Sequence, residues 1–505
     1  MKPKLATIRI LRARAFLAGL AGLAIALPIT ANATSYVKAN TATMSNASDW
    51  LPTTPWPPLT TDTLSWNASP ILLANNLSLS LGMDFSVLNL DLRPNGTNNP
   101  SLKIAAGNTI TLNNSTAGGN VVNQSNGAWN TTLGCDIKLA GTMPFNIQGN
   151  MVVNGNITQD TTPRILTKTG SGALLFTGVN SYTGTIISKG ILSLGPSATL
   201  GSTTAGVLTL SGGRSGTTLD LGGTTQTIGG VVNFGSGELR NGTLIINASG
   251  NSITKSGLVS ANLQGTGNLF LDDSGLSLIL SGTNTYSGTT VVQGGTLLAI
   301  KPAALPNAGA SGTITLNSAN SATLAVRAGG SGEWSATDIK GLLDNATFTV
   351  VGTSAIGLGI DTTGGDFTYG NAIPAKANMG LLKLGSNTLT LAAANLDTRP
   401  TTITRGTVKV DNTAGGSLAN TSALTFTGAG AFNYNTASTS QGLGALTFSA
   451  GEGTVQITRS ADAALTFASL AARAVGASAN LSLSGGSPSA TNGFNLTGAA
   501  LGFIN

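Results

Sequence analysis

Six carboxylates, Asp272, Asp273, Asp338, Asp344, Asp361 and Asp366, are the residues of this chain best suited by type to act on a polysaccharide. Lyases and glycoside hydrolases need two or three carboxyl groups gathered on neighbouring strands, one to donate a proton and another to attack or activate. Only Asp272 and Asp273 adjoin, and successive side chains of a strand point to opposite faces, so nothing in the spacing marks a site and solvated turn acids are the simpler reading. The sequence holds no His, which removes Ser-His-Asp and Cys-His catalysis and the common His-containing zinc sites. Asp273-Ser274-Gly275 lacks the preceding Gly of a serine-protease signature, and no residue pair recommends a Ser-Lys dyad. Gly212-Gly213-Arg214-Ser215-Gly216 lacks the Asp of Gly-rich calcium repeats. A phosphate loop would need a Gly-Lys dipeptide, and none occurs. The sequence therefore nominates no catalytic, cofactor-binding or metal-ligating residue, and no cofactor.

The elements that could position any chemistry show themselves as repeats. Gly178-Val179-Asn180-Ser181-Tyr182-Thr183-Gly184 returns 104 residues later as Gly282-Thr283-Asn284-Thr285-Tyr286-Ser287-Gly288. At an offset of 215, Leu166, Lys168, Gly170 and Asn180 return as Leu381, Lys383, Gly385 and Asn395. The third copy carries Asp397 in place of the Tyr, and the middle copy reads as replacing the Lys-x-Gly opening with Asp272-Asp273-Ser274. Between copies, Leu-x-Leu runs such as Val207–Leu210 and Thr218–Leu221 keep the period of two of strands with one buried face. Repeats of this kind stack, each unit burying its apolar face against its neighbours. In such a stack, Leu174 and Phe176 point inward and the Gly-x-Asn supplies a corner where φ > 0 is cheap. Gly184 and Gly288 open the next turn, and Tyr182 and Tyr286 cap a corner. Asn180, Asn284 and Asn395 bond backbone amides of stacked turns.

Composition agrees. Charged residues are 9% of the chain, against about 25% in ordinary soluble proteins, and Gly contributes 68 positions. Thr, Ser and Asn must form the surface, and all three are weak helix formers. The basic pI of 9.5 is local, since five of the 25 basic residues lie in the first 14 positions. Without residues 1–33 the balance is 20 basic against 19 acidic, and no basic patch recommends nucleic acid as a partner. Lys2 to Arg14, the apolar run Ala15–Leu27 and Ala31-Asn32-Ala33 read as a signal peptide cleaved after Ala33. Cys135 is the single cysteine, so no internal disulfide forms.

The three segments 166–195, 276–300 and 381–410 resemble the autotransporter-associated β-strand repeat, also called the passenger-associated transport repeat. Their shared pattern is Leu-x-Lys-x-Gly, then Leu-x-Leu, Gly-x-Asn-x-Tyr-x-Gly and a closing Gly-x-Leu. The resemblance implies an all-β, elongated right-handed parallel β-helix (β-solenoid), exported to the cell surface, outer membrane or extracellular space. It implies a non-catalytic structural or adhesive passenger, with a β-helical carbohydrate-active enzyme as the alternative. The expected organisation is a signal peptide (1–33), an N-terminal β entry or cap region rich in Pro and in Trp50, Trp56, Trp66 and Trp129 (34–165), the repeat-bearing β-helix (166–415) and further β rungs (416–505). Expected partners are the secretion machinery, through the signal peptide, and surface glycans or other cells. A full autotransporter ends in a membrane β-barrel, which this chain lacks, so truncation of a longer passenger is expected.

Overall fold

The computed structural model describes residues 77–498, apart from 93–101, 114–121, 125–129, 142, 202–205, 213–215, 248–250, 255, 307, 350–355, 376–378 and 485–490, together with strands 35–38, 50–51 and 63–65. The leader, its cleavage site and the side chains of the four N-terminal Trp lie outside the described residues. From Leu77 onward the strand pairings are parallel, with strands of mostly three to six residues divided by Gly, Asn or Ser. The chain is a parallel β-solenoid with three faces.

Face one stacks Met143–Ile147, Ile165–Thr169, Gly184–Ile187 and Leu208–Leu210. Face two stacks Asn150–Val153, Ala173–Phe176, Gly190–Leu194 and Thr217–Asp220. Face three begins with Phe85–Val87, Thr109–Leu112, Asp136–Leu139 and Ile157–Gln159 and resumes at Thr225–Ile228. Alternation decides what is inside: in Gly190–Leu194 every second residue is buried. Leu174, Phe176, Leu192, Leu194 and Leu219 thus enter one core that continues along the axis. Face two is continuous from Leu77–Leu79 to Ala464–Leu470 through successive pairings. The ladder has no break at residue 165.

The repeats are locked on the stack by their buried asparagines. Asn180 Oδ1 accepts from Ile157 N at 2.8 Å on the preceding rung, and its Nδ2 donates to Thr199 O at 2.6 Å on the next. Asn284 joins Leu263 N (2.8 Å) to Ala304 O (2.7 Å). Asn395 joins Ile373 N (3.3 Å) to Ser417 O (3.2 Å). Gln226 and Gln441 instead hold one neighbouring rung twice, accepting from Leu200 N and Leu418 N and donating to Ala198 O and Leu418 O. A buried amide side chain is suited to this because it offers one acceptor and one donor group on opposite sides.

The third copy is turned by one face relative to the other two. Leu166 and Leu269 sit on face one, whereas Leu381 pairs back through Leu358 to Leu324, which belongs to face two. The one α-helix among the described residues, Ala336–Asn345 (α1), lies between those copies. It follows a face-two strand, precedes the face-one strand Thr347–Thr349 and so occupies face three, where Asn371 Nδ2 of the next rung reaches Ala336 O. Ser335 and Asp338 form a capping box, and Ile339, Leu342 and Leu343 are buried. The sequence reading had no helix here.

Replacing Asn284 by Ala orphans one buried N–H and one buried C=O, each costing about 1–3 kcal/mol. A loss of about 2–4 kcal/mol is expected in urea titrations. Asn262→Ala, at an exposed position where the amide accepts from Thr283 N, is expected to cost under about 1 kcal/mol.

Candidate functional site

The repeat motif resolves into structural roles, several of them different from the sequence reading. Gly178, Gly282 and Gly288 are not at positive φ. They are glycine because a Cβ would stand 2.3 Å from Gly155 O, 2.1 Å from Ala261 O and 2.2 Å from Gly267 O respectively, so close stacking of rungs, not the corner's φ, selects them. The positive-φ corners are instead Gly170 and Gly190 in the first copy and Gly385 and Gly406 in the third. Tyr182 and Tyr286 fill the core rather than capping a corner: both are buried, with their hydroxyls 3.0 Å from Thr185 Oγ1 and 2.7 Å from Thr290 Oγ1.

Lys168 and Lys383, the cations of the Leu-x-Lys-x-Gly opening, are fully buried. Lys168 Nζ donates to the carbonyls of Thr169, Gly170 and Lys189 at 2.8–3.0 Å. Lys383 Nζ donates to Leu384, Gly385 and Arg405 at 2.6–3.1 Å. An ammonium has three donors and no acceptor, which matches three carbonyls turned inward at a corner. Burial pushes both ammonium groups down from 10.5 to about 8. In the middle copy the strand register puts Leu271 at the Lys position, since Lys168 faces Ile187 and Leu271 faces Val292. The replacement of Lys is therefore Leu271, not Asp272. There the strand does not turn sharply but runs through the corner as Asn268–Leu280, with register shifts around Asp272.

Of the six candidate carboxylates, Asp361 and Asp366 both lie close enough to Lys383 to favour its charge, and the others whose side chains are described lie on other elements. Asp272 is exposed beside this irregular stretch and pairs in register with Gly294; the side chain of Asp273 lies outside the described residues. Asp338 closes the capping box of α1, and Asp344 pairs with Lys340 on the same helix. Asp361 holds Arg327 at 2.9 Å and accepts from Thr363, while Asp366 accepts from Thr388 N at 2.7 Å. No group of three metal-ligating side chains occurs among the described residues. Cys135 is buried and its thiol is pushed up to about 12 by burial, which makes it unreactive.

What the fold does present outward is an ordered polar surface. On face three after α1, Thr388–Leu391, Gly406–Asp411, Gly430–Thr436, Glu452–Arg459 and Ser478–Leu483 stack in register. Val408, Val410, Phe432, Tyr434, Val455 and Ile457 point into the core. The alternate positions form one outer column of Thr390, Lys409, Asn433, Gln456 and Ser482 and a second of Thr388, Thr407, Ala431, Thr454 and Asn480. Members of a column repeat at the strand spacing of about 4.8 Å. Cross-links such as Asn435 Nδ2 to Asp411 Oδ1 (2.8 Å) and Thr458 Oγ1 to Asn433 Oδ1 (3.1 Å) fix their orientations. A periodic field of hydroxyls and amides can make many weak, aligned hydrogen bonds.

Comparison with known proteins agrees with this geometry. The passenger-associated-transport-repeat family matches residues 166–194, 277–299 and 381–410, so the chain carries three such repeats. Over 330 residues, 60% of this chain, the sequence is 29% identical to the Adhesin BmaC autotransporter of Brucella suis biovar 1 (strain 1330), and the match covers 9% of that relative's length. No solved structure matches the chain.

Two titrations follow from the buried groups. For Lys168 and Lys383 the folded pKa, about 8, lies below the ordinary 10.5, so the unfolded chain binds more protons between those values. Stability is expected to rise with pH across that window, by up to about 1.4 kcal/mol per pH unit for each lysine. The slope should vanish in Lys168→Met/Lys383→Met, measured by denaturant unfolding at pH 8, 9 and 10. Asp397, at the alignment position of the missing Tyr, is buried with Oδ2 unpartnered, and burial raises its carboxyl from 3.8 to about 6. The native state then binds more protons between those values, so stability from this group is full below about pH 4 and lost as pH rises through 6. Asp397→Asn is expected to add about 2 kcal/mol at pH 7.5 and nothing at pH 4.

Proposed function

We propose that this chain, a protein of passenger-associated transport repeats, is the rod of a surface-displayed or secreted adhesive passenger that performs no catalysis. The observation that carries the reading is the in-register polar face on the solenoid, which begins in the third matched repeat and continues beyond it. Similarity to a protein named as an adhesin autotransporter supports it, as does the engagement of Asp338, Asp344, Asp361 and Asp366 in structural contacts. Residues 1–33 would direct the chain to the export machinery, and association with the outer membrane follows from a passenger's route. Residues 34–165 would form the entry or cap region of the rod, residues 166–415 the repeat-bearing β-helix and residues 416–505 further rungs beyond the third repeat.

Adhesion by such a surface is multivalent. Each Thr, Asn or Gln contributes a hydrogen bond that water also offers, worth about 0.5–1.5 kcal/mol net. Binding becomes useful only when many contacts close at once, because later contacts are made at high effective concentration. Surface glycans and the surfaces of other cells are targets with the matching chemistry, dense in hydroxyls and repeated along a chain.

The test combines a glycan array, probed with chain immobilised on beads and with free chain, and assays for reducing-sugar release and unsaturated product. Bead-borne chain is expected to bind with an apparent affinity at least about 100-fold above the free chain. Asn433→Glu/Gln456→Glu is expected to lower that binding at least tenfold with an unchanged circular dichroism spectrum. Product formation that an Asp272→Asn/Asp273→Asn variant abolishes would replace this reading with a carbohydrate-active enzyme.

A further inference from the structure

Face three carries three sheets, and the second of the two interruptions between them, ahead of Phe367–Tyr369, holds a cleft. After the rung of Asn284, the chain makes a short 3-10 turn, Pro302–Ala304, and on the next rung α1 takes the place of a strand. A cleft of about 410 Å³ opens between them, within the range of small-ligand sites. One wall is apolar, from Pro302, Leu305 and Pro306; the other is given by Trp334, Asp338 and Gly341.

Three observations say what it fits. Gly341 lies inside α1, where Gly costs about 1 kcal/mol against Ala, yet an added Cβ would meet nothing within 4 Å. Packing does not require this glycine; its effect is to keep the cleft open. Trp334 lines the cleft with a largely buried ring, 2% exposed, and adds apolar surface to the wall that carries Asp338. The charge of the lining is acidic, since Asp338 is its one charged side chain. The cations near it in sequence are committed, Lys301 to Thr283 Oγ1, Arg327 to Asp361 and Lys340 to Asp344, while Asp338 accepts from the neutral Ser335.

We propose that this cleft binds a lysine or arginine side chain of a partner polypeptide, with its aliphatic stem along Pro302, Leu305 and Pro306 and its cationic head at Asp338. A long basic side chain has this division, an apolar stem and a charged tip. The inference does not depend on the polar face being the adhesive surface.

The experiment titrates the full chain with a fluorescent Gly-Gly-Lys-Gly-Gly peptide, with its arginine and norleucine counterparts, and with the Glu peptide. Lys and Arg peptides are expected to bind at least tenfold tighter than norleucine, with the preference lost in 0.5 M NaCl and no binding of Glu. Gly341→Leu, which fills the cleft from a position with room for it, is expected to weaken binding at least tenfold. Asp338→Asn should do the same, whereas Ser335→Ala, which loosens the cap but keeps the carboxylate, and Asp344→Asn should stay within threefold of wild type. Circular dichroism and melting temperature identify any variant that fails to fold. Equal binding of norleucine and Lys peptides, insensitivity to Gly341→Leu or Asp338→Asn, or no binding at millimolar peptide would overturn the proposal.

Discussion

Everything in this structure depends on the rule that no rung is complete alone. A three-sided turn of about 20 residues cannot surround its own apolar side chains, and its corners leave amides and carbonyls that its own strands do not use. Both deficits are met by the rungs above and below. The Asn of the repeat shows this in one side chain, since its carbonyl serves the preceding rung and its amino group the following one. Glycine at 178, 282 and 288 is the steric side of the same rule: backbone lies directly on backbone, and a Cβ would occupy the carbonyl below. Stability is therefore a property of interfaces between turns, and the motif is a description of such an interface.

Two kinds of corner go with two residues at the lysine position. Where Lys168 and Lys383 are present, a positive-φ glycine lets the chain turn sharply, and the ammonium collects the carbonyls that the turn directs inward. Where Leu271 occupies the position, no such donor exists and the chain keeps its ladder partners by running on as a strand of 13 residues. Three successive long strands, Asn268–Leu280, Thr290–Ala299 and Ile314–Arg327, propagate that choice, because each rung takes its backbone geometry from the one beneath it. A buried cation is costly unless hydrogen-bonded, and both lysines lie at corners that supply acceptors, with Asp361 and Asp366 adding electrostatic support to Lys383.

Much of this was legible in the sequence, and for a physical reason: a stack repeats its contacts, and repeated contacts leave repeated residues. Strand alternation, the three copies and the amide role of Asn180, Asn284 and Asn395 could be read from spacing alone. Spacing could not say that Gly178 answers to a carbonyl 23 positions earlier, because a close approach and a positive φ both ask for glycine. Nor could it place Leu271, since Asp272 aligns equally well until strand register is known. The helix α1 did leave a signal, Ser335-x-x-Asp338 followed by Ile339, Leu342 and Leu343 at helical spacing, but Gly341 and the surrounding β grammar obscured it.

The third copy need not share a surface with the first two. A solenoid specifies contacts between neighbouring turns and nothing about which face a motif begins on. With α1 inserted on face three, Leu381 and Lys383 start on face two, and Leu389 and Leu391 bring their outward neighbours Thr388 and Thr390 to face three. The same inter-rung geometry thus builds the rod on both sides of the helix while presenting different columns on a given face. Since the motif leaves the outward positions unconstrained, they are free to diverge into a binding surface, and the residues that any partner reads must be sought there and where α1 replaces a strand.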